Sequence, residues 1–534
     1  MLSRRVTLGR SAALALAASA FVTAGQAGAA AVTIAPGELP AVRRVDPRFQ
    51  SYNVEMVEVI GGRFWAPYPK PGETRPAPDV AGKSGGVDLA AAMFRKREPI
   101  DLKNDHRLRV LAGALGPAYV RVSGAWANNT YFHDADTLPP AQPPAGFQGV
   151  LTRPQWAGVV DFARATDAKL VVSFPVGPGA RNPDGSWNPD QARRMIRYTR
   201  DLGGRIEAAE LINEPNVGAA VGLPKGYDAG RFAKDIAAFR ELVRTDAPEM
   251  KTIGPGSTGE AGFILFPPNL GQIPTEALMT AEPAPKFDIF SYHFYGTVSK
   301  RCSAMDKSAG IAPDQALSEA WLARADQVFD YYKAYRDRFT PGAPIWITEM
   351  AEAACGGDQW AATFLDTFRY VDQMGRLAKR GADVIFHNTL SASDYALIDD
   401  VTNQPRPSYW AALLWRNLMG ETVLDAGESR PGLHVYAHCL RGRPGGVGLV
   451  AINLDKAAAT TLELPAAAER YALTADELQS GAVKLNGKEL ALLPGDRLPV
   501  LKPAKAAKGA QTLAPASITF LAIPDARAKA CRAA

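Results

Sequence analysis

The stretch A-A-E-L-I-N-E-P-N, residues 208–216, begins as an apolar run and ends in an asparagine, a glutamate and a proline. Its first residues have the composition of a buried strand, and Pro215 is typical of the point where a strand gives way to a turn. A second apolar run, P-I-W-I-T-E-M at residues 344–350, ends in the same way around Glu349. Glu214 and Glu349 are 349 − 214 = 135 residues apart, about three strand–helix units. The spacing places them on different strands whose ends face the same side of one sheet.

Strand-like runs of this kind recur along most of the chain, and amphipathic helical patterns lie between most of them. Buried strands that alternate with helices are typical of parallel pairing. Eight such units close naturally into a (β/α)₈ TIM barrel, whose chemistry lies where strands end and the following loops begin. An open doubly wound sheet is the alternative, but the phosphate-binding glycine fingerprint is missing after the first strand. The eight runs are S-Y-N-V-E-M-V (51–57), A-Y-V-R-V-S-G (118–124), K-L-V-V-S-F-P-V (169–176), A-A-E-L-I-N (208–213), K-T-I-G-P-G-S (251–257), F-D-I-F-S-Y-H-F-Y (287–295), P-I-W-I-T-E (344–349) and D-V-I-F-H-N-T-L (383–390).

The pattern changes near residue 420, where β runs follow one another without helices. This change predicts a C-terminal β-sandwich over residues 420–534, after a catalytic barrel over residues 46–419. Residues 30–45 are expected to contribute a strand to the sandwich. The Pro- and Gly-rich segment from Gly61 to Gly86 is interpreted as a loop at the barrel rim.

Composition and the N-terminus limit the kind of protein. The chain has 534 residues, 47% apolar and 22% charged, with a net charge of +5 and no basic stripe of the kind that nucleic-acid-binding proteins show. Residues 1–29 combine a basic start containing Arg4 and Arg5, an apolar core and a small-residue cleavage site, which predicts a signal peptide and a periplasmic or secreted protein. The arginine pair favours a twin-arginine-like signal, and a Sec signal is the alternative. No later run is long enough to span a bilayer. No metal, nucleotide or covalent-cofactor motif stands out, so no cofactor or metal is expected.

Two glutamates that converge on one cleft are the groups that cleavage of a glycosidic bond requires. One donates a proton to the departing oxygen, and the other attacks or stabilises the anomeric carbon. Asn213, directly before Glu214, is placed to bind a sugar 2-hydroxyl. For Glu214 alone, a carboxylate that caps the next helix is an equally good interpretation; Glu349 in the same situation favours the proton donor.

The ordered set of motifs resembles glycoside hydrolase family 79, the family of heparanase and of bacterial and plant β-glucuronidases. The resemblance runs from about residue 40 to the C-terminus. It implies that Glu214 is the acid/base and Glu349 the nucleophile of a retaining hydrolase. The matching stretches are G-P-A-Y-V-R-V-S-G, E-L-I-N-E-P-N, S-Y-H-F-Y, I-T-E with the following C-G-G, S-D-Y-A-L-I-D, P-S-Y-W-A-A-L-L-W, L-H-V-Y-A-H-C, V-A-I-N-L and V-K-L-N-G-K-E-L.

The same resemblance implies roles for further residues at the strand ends. Glu55 would bind sugar hydroxyls, His293 and Tyr295 would form an aromatic pair on the sixth strand, and Tyr295 would steady Glu349. For His293, a buried hydrogen-bonded histidine is the plainer interpretation, and no proton transfer is assigned to it.

The resemblance also implies a site for the carboxylate of glucuronate. The amides of Gly356 and Gly357 would form an anion nest, with Tyr395 in the loop after the eighth strand. The family often has a tyrosine before these glycines, where this chain has Ala354 and Cys355. Asn388 stands where relatives carry a glutamine.

The four cysteines indicate disulfides, because their number is even and the protein is expected to be exported. Cys439 ends the first sandwich strand and Cys531 follows the last, which favours a Cys439–Cys531 bridge. Cys302 and Cys355 lie in loops at one rim, which favours a Cys302–Cys355 bridge; two buried free thiols are the alternative.

The leading hypothesis is therefore a β-glucuronidase or heparanase-like enzyme that acts on a glucuronide or a glucuronic-acid-containing polysaccharide. A retaining β-xylosidase or β-glucosidase and a non-catalytic carbohydrate-binding protein are the alternatives. Four basic residues lie near the rim. Solvated loop charges and sulfate ligands are equally good interpretations of Arg301, Lys70, Lys83 and Arg63. The segment 134–150 is short and Pro-rich, so activation by excision of a linker is not expected. The sequence leaves open chain-end against internal cleavage, the natural substrate and the oligomeric state.

Overall fold

The computed structural model describes residues 32–68, 93–264, 271–303 and 309–532. The predicted signal peptide, Lys70, Lys83 and most of the Pro-rich rim segment lie outside these residues. In chain order the first strands are β1 (Val32–Thr33), β2 (Ala41–Arg44), β3 (Gln50–Glu55), β4 (Gly62–Trp65), β5 (Phe94–Arg97), β6 (Ala118–Ser123), β7 (Thr130–His133), β8 (Gly149–Thr152), β9 (Ala168–Ser173), β10 (Ile206–Glu210), β11 (Lys251–Ser257), β12 (Ile289–Tyr295), β13 (Ile345–Ala351) and β14 (Val384–His387).

Eight of these strands close into a parallel barrel, and the predicted (β/α)₈ fold is confirmed. The hydrogen-bonded order around the barrel is β10, β11, β12, β13, β14, β3, β6, β9 and back to β10. The helices that accompany the barrel strands are α1 (Met56–Ile60), α2 (His106–Ala114), α3 (Arg153–Ala165), α4 (Asp190–Asp201), α5 (Ala229–Asp246), α6 (Thr275–Thr280), α7 (Glu319–Leu322), α8 (Arg324–Phe339), α9 (Phe364–Arg380) and α10 (Pro407–Leu418).

Large side chains fill the barrel interior below the strand ends. The buried cluster takes one or two residues from each of seven strands, including Trp346 of β13, Tyr119 of β6 and Phe386 of β14. Tyr119 and Trp346 have ring centroids 4.7 Å apart. Such layers make the barrel a packed core rather than a pore, so a ligand can enter only from the carboxyl ends of the strands.

The C-terminal part forms two sheets that pack face to face, as predicted. Its strands are β15 (Met419–Leu424), β16 (Leu433–Leu440), β17 (Val447–Asn453), β18 (Thr460–Leu464), β19 (Ala468–Thr474), β20 (Lys484–Leu485), β21 (Lys488–Glu489), β22 (Ala504–Ala506), β23 (Gly509–Leu513) and β24 (Ser517–Ile523). A nine-stranded sheet runs from β2 through β15, β16, β17, β24 and β19, and a three-stranded sheet joins β1, β18 and β23.

The N-terminal segment belongs to these C-terminal sheets. Strand β2 pairs antiparallel with β15, and β1 pairs parallel with β18. Residues 32–44 thus pair with the sandwich before the chain enters the barrel, and both ends of the barrel sequence are tied to the same sheets.

The predicted disulfide pairing is confirmed. Cys439 is bonded to Cys531 and Cys302 to Cys355. The first bridge holds the segment after β24 against β16, and the second joins two loops at the mouth of the barrel. In the described residues no helix combines the length and the apolarity needed to cross a bilayer.

A buried histidine joins the sandwich to the barrel. His434 of β16 contacts Asp372 of α9 through Nδ1 at 2.5 Å and Glu319 of α7 through Nε2 at 3.0 Å. Arg376 also pairs with Asp372 at 2.7 Å, and Tyr436 donates to Asp372 at 2.6 Å. Burial lowers the pKa of His434, but the two carboxylates outweigh it and raise the pKa above the ordinary value.

The His434 contact predicts a pH-dependent difference in stability between the wild type and His434→Gln. A raised pKa in the folded state stabilises the protein at pH values below the unfolded-state pKa of about 6.5, and this stabilisation disappears as the pH rises through the folded-state pKa. We expect the free energy of unfolding in urea to be lower in the variant by about 1–3 kcal/mol at pH 5–6 and the gap to narrow toward pH 9. His106→Gln, at a side chain that is 70% exposed, is the control. A gap that stays constant from pH 5 to pH 9 would contradict the prediction.

Candidate active site

The two predicted glutamates meet at the carboxyl ends of β10 and β13. Glu349 lies within β13 and is buried, whereas Glu214 lies in the turn after β10 with 17% of its side chain exposed. Glu214 has left-handed backbone angles, φ 53° and ψ 57°, just before a 3₁₀ turn that starts at Pro215. A non-glycine residue in this region is uncommon and is held there by its surroundings. The turn directs the carboxylate of Glu214 toward the barrel axis.

His293 of β12 connects the two carboxylates. Its Nδ1 lies 2.9 Å from Oε1 of Glu214 and 3.4 Å from Oε2 of Glu349. One oxygen of each glutamate and one ring nitrogen all lie within 4.8 Å of one another. Burial lowers the pKa of His293, but the negative charges of Glu349 and Glu214 raise it above its ordinary value. The three side chains therefore form one coupled unit.

Glu349 is held in its ionised form by two further donors. The hydroxyl of Tyr295 donates to Oε2 at 2.6 Å, and the guanidinium of Arg121 donates to Oε1 at 3.0 Å. Burial raises the pKa of Glu349, yet His293, Arg121 and Tyr295 together hold it below the ordinary value. A carboxylate that stays charged in a dry site is suited to nucleophilic attack.

Arg121 is buried in β6 and pairs with a second glutamate beneath the site. Its Nε donates to Oε1 of Glu210 at 2.9 Å, and its Nη2 donates to Asn213 at 2.8 Å. The same oxygen of Glu210 accepts from Ser123 at 2.9 Å and from Ser173 at 2.6 Å. Glu210 is the last residue of β10, which ends three residues before Asn213, whereas the predicted strand run 208–213 extends to Asn213.

The pair of Arg121 and Glu210 is the part of the site that sequence reasoning missed. The signal is visible in the sequence: a single charge sits inside each of the buried runs A-Y-V-R-V-S and A-A-E-L-I. Opposite charges in strands that face one barrel interior are rarely tolerated unless they pair.

Glu55 ends β3 and faces the same cavity. Burial first, and then the negative charge of Glu349, raise the pKa of Glu55 well above its ordinary value, while Arg121 opposes them. Gly124 fits closely against this side chain, since a Cβ there would lie 1.6 Å from Oε2 of Glu55. A protonated Glu55 is able to donate a hydrogen bond as well as accept one.

Asn388, Tyr295 and Tyr395 form a hydrogen-bonded chain on the nucleophile side. The Asn388 amide donates to the Tyr295 hydroxyl at 2.9 Å and to the Tyr395 hydroxyl at 3.3 Å, and its oxygen accepts from Asn53 at 3.1 Å. These contacts fix both phenols relative to Glu349.

The glycine loop after β13 has one of its two predicted amides engaged within the loop. Cys355, Gly356 and Gly357 all have positive φ, at 64°, 83° and 81°. The Gly357 amide donates to the Ala353 carbonyl at 3.2 Å and is therefore engaged. Within the described residues the amides of Cys355 and Gly356 have no hydrogen-bond partner. Among these three residues only Cys355 lines the cavity.

One cavity collects most of the predicted residues. Its polar lining includes Glu55, Asn129, Gln148, Asn213, Glu214, Thr258, Tyr295, Glu349, Asn388 and Tyr395. Its apolar lining includes Phe64, Trp65, Phe94, Trp126, Val217, Val221, Ile264 and Val298. His293 lies behind the carboxylates, and neither Gly356 nor Gly357 lines the cavity. Arg301 is buried beside Asp394, at 2.8 Å, and no lysine or arginine of the described residues lines the cavity.

The trio of Glu214, His293 and Glu349 also offers three atoms of the type that bind metals. All three are already engaged with each other, and the guanidinium of Arg121 lies 3.0 Å from Glu349. A fixed positive charge at this distance disfavours a divalent cation.

A (β/α)₈ barrel with two glutamates this close at its mouth defines a glycoside hydrolase. Residues 140–375 match the model of the glycosyl hydrolase family 79 N-terminal domain. The chain carries this family 79 domain, and the resemblance seen in the sequence is confirmed.

Relatives with known names support the same family. Heparanase-like protein 1 of Arabidopsis thaliana is 25% identical over 472 residues, which cover 78% of this chain and 84% of that protein. Baicalin-beta-D-glucuronidase of Scutellaria baicalensis is 26% identical over 64% of this chain and 63% of its own length. Inactive heparanase-2 of Homo sapiens is 26% identical over 72% of this chain and 66% of its own length.

Solved structures share the fold over nearly the whole chain. A 4-O-alpha-L-rhamnosyl-beta-D-glucuronidase from Fusarium oxysporum 12S superposes with a TM-score of 0.61 at 13% identity, covering 92% of this chain and 100% of that one. A GH51 arabinofuranosidase from Xanthomonas axonopodis pv. citri gives 0.58 at 15% identity, covering 92% and 99%. At these identities the likeness establishes the fold.

The position of Arg121 predicts a shift in the pH profile of hydrolysis. Removing its charge raises the pKa of Glu349, so the acidic limb of kcat/KM moves to higher pH, and kcat falls about 10²-fold or more. The substitution is best made as Arg121→Met together with Glu210→Gln, because the single change would strand a buried Glu210 at a cost of about 3–5 kcal/mol. Glu210→Gln alone, which keeps the guanidinium, is the matched control. An unmoved acidic limb in a folded double variant would show that Arg121 does not set the ionisation of Glu349.

Proposed function

We propose that the protein is a retaining β-glucuronidase that hydrolyses β-linked glucuronides by double displacement. The observation that carries the proposal is the approach of the two carboxylates, with an oxygen of Glu214 and an oxygen of Glu349 within 4.8 Å. Retaining enzymes hold their carboxyl groups about 5–5.5 Å apart, whereas inverting enzymes need about 6.5–9.5 Å to admit a water between them.

Each residue of the coupled unit has a role in this mechanism. Glu349 attacks the anomeric carbon while Glu214 donates its proton to the departing oxygen, which yields a covalent glycosyl-enzyme and a free aglycone alcohol. Glu214 then takes a proton from water, whose oxygen displaces Glu349 from the sugar. His293 holds Glu214 in place in both steps.

Specificity for glucuronate is supported by the groups around Cys355. The two unpartnered amides of Cys355 and Gly356 suit an anion, and backbone N–H groups bind carboxylates without a basic side chain. The Asn388 amide and the Tyr395 hydroxyl lie on the same side of the cavity. Similarity to a baicalin-beta-D-glucuronidase points to the same sugar.

One observation favours a second candidate, a retaining hydrolase of a neutral sugar such as a xyloside or glucoside. Three glutamates face the cavity, while no lysine or arginine of the described residues lines it. A cavity with this charge is less attractive to an anionic sugar. The uncharged form of Glu55 reduces the repulsion between the cavity and an anionic sugar without removing it.

We also propose that the protein is exported to the periplasm or the medium. Its support is the signal-like segment 1–29 and two disulfides, which form and persist in oxidising compartments.

Substitutions of the two glutamates distinguish their roles. Glu349→Gln should lower kcat on an activated aryl β-glycoside by on the order of 10⁴–10⁶-fold. Glu214→Gln should lower kcat by about 10²–10⁴-fold on a poor leaving group and by less on a good one. Proton NMR of the first product should show the β-anomer. Azide should restore turnover to Glu214→Gln but not to Glu349→Gln, and the product should be a β-glycosyl azide. Release of the α-anomer by the wild type would replace the retaining mechanism with an inverting one.

A panel of aryl β-glycosides tests the sugar. We expect kcat/KM to be at least about 10²-fold higher for the glucuronide than for the matched glucoside and xyloside, because an unfilled nest leaves its N–H groups unpaired. Tyr395→Phe should raise KM for the glucuronide and leave the glucoside nearly unchanged. Activity confined to the neutral sugars would establish the second candidate instead.

A further inference from the structure

The segment after the first barrel strand forms a hairpin over the cavity. Strands β4 and β5 pair antiparallel, with Trp65 opposite Phe94. We call residues 62–68 and 93–97 the rim hairpin. Its side chains Phe64, Trp65 and Phe94 line the cavity. The rings of Trp65 and Phe94 stack with centroids 4.6 Å apart, so they form one aromatic wall.

The rim hairpin is fastened to the loop after β14. Arg95 and Arg97 both pair with Asp400, whose side chain is only 2% exposed. The amide of Tyr68 donates to Asp394 at 3.1 Å. Two ion pairs on one buried acceptor and a backbone contact make the rim hairpin a fixed part of the mouth.

The rim hairpin also contacts the loops on either side. A Cβ at Gly356 would lie 2.6 Å from Cβ of Trp65, so the loop after β13 touches the hairpin directly. On the other side Phe64 packs edge-on against Trp126 after β6, with centroids 5.2 Å apart. In the barrel order β13, β14, β3 and β6 are consecutive. The rim hairpin thus covers one half of the mouth, and Glu214 belongs to the other half.

The proposed roles of Glu214 and Glu349 set the direction in which a substrate lies. The glycosidic oxygen must be beside Glu214 and the anomeric carbon beside Glu349. The rest of that sugar ring then extends over β14 and β3, toward Asn388 and Glu55, which is the half beneath the rim hairpin. The aglycone extends past Glu214, where Val217, Thr258 and Ile264 form the wall.

We propose that the rim hairpin closes the glycone end of the cavity, so that one sugar residue enters there and hydrolysis removes single residues from the non-reducing end. Water is added across the terminal glycosidic bond only. The inference rests on the proposed roles of Glu214 and Glu349, because those roles set the direction of the substrate. The residues that determine the mode of cleavage are Trp65 and Phe94, which would meet any sugar attached to the far side of the bound ring.

Two matched pairs of aryl glycosides test the inference. One pair is a β-glucuronide with O4 free and the same compound with a second sugar on O4; the other pair is the corresponding β-glucosides. For whichever sugar is accepted, we expect the wild type to cleave the free compound and the O4-substituted one at no more than a hundredth of its kcat/KM. Trp65→Ala with Phe94→Ala should raise this ratio at least tenfold, while KM for the free compound increases several-fold.

The control variant is Val500→Ala, at an exposed sandwich residue, which should leave both rates unchanged. Comparable wild-type cleavage of the free and substituted compounds, with release of an intact disaccharide, would overturn the closed end and leave the β-glucuronidase proposal intact. An unchanged ratio in a folded Trp65/Phe94 double variant would also overturn it. Failure to cleave either free compound would overturn the proposed function, and the inference with it.

Discussion

A guanidinium buried between two glutamates is the constraint on which the site depends. Arg121 is 1% exposed and pairs with Glu210 on one side and Glu349 on the other. Transfer of a charged side chain out of water costs several kcal/mol, and this cost is offset only when geometry and hydrogen bonds are nearly complete. Ser123 and Ser173 add donors to Oε1 of Glu210 beside Arg121, while Oε2 of Glu210 has no partner among the described residues. The positions of β6, β9 and β10 are therefore fixed relative to β13 by charge as well as by strand pairing.

The charges around Arg121 allow carboxyl groups in one cavity to have different protonation states. Glu349 stays ionised because His293, Arg121 and Tyr295 oppose the effect of burial. For Glu55, equally buried, burial and the negative charge of Glu349 outweigh the opposing effect of Arg121 and raise its pKa, so its neutral form is favoured. Environments that move the pKa values of neighbouring carboxyl groups apart in this way assign acid and base roles in glycosidases.

The barrel was predictable because its signals are local and repeated. Each buried run is near the length of a strand and is separated from the next by helical periodicity, and Glu214 and Glu349 stand at the ends of two of them. Arg121 and Glu210 were not identified, since pairing across strands depends on register and not on sequence spacing. The assignment of the Gly356 and Gly357 amides to the sugar carboxylate stays a prediction, and one of these two amides is already engaged. Which amides of Cys355, Gly356 and Gly357 are free depends on backbone angles, and the Gly357 amide is used within its own turn.

The loop that carries Cys355 belongs both to the proposed anion site and to the proposed closed end of the cavity. Cys355 is tied to Cys302 by a disulfide, and it begins three consecutive residues with positive φ. Gly356 has to be a glycine both for its φ of 83° and because any Cβ would meet Trp65. The same short turn thus carries two amides that have no hydrogen-bond partner among the described residues, and it provides the surface on which the aromatic wall rests. A change that moves this turn would disturb the anion site and the closed end together, so the chain holds it with a covalent bridge rather than with packing alone.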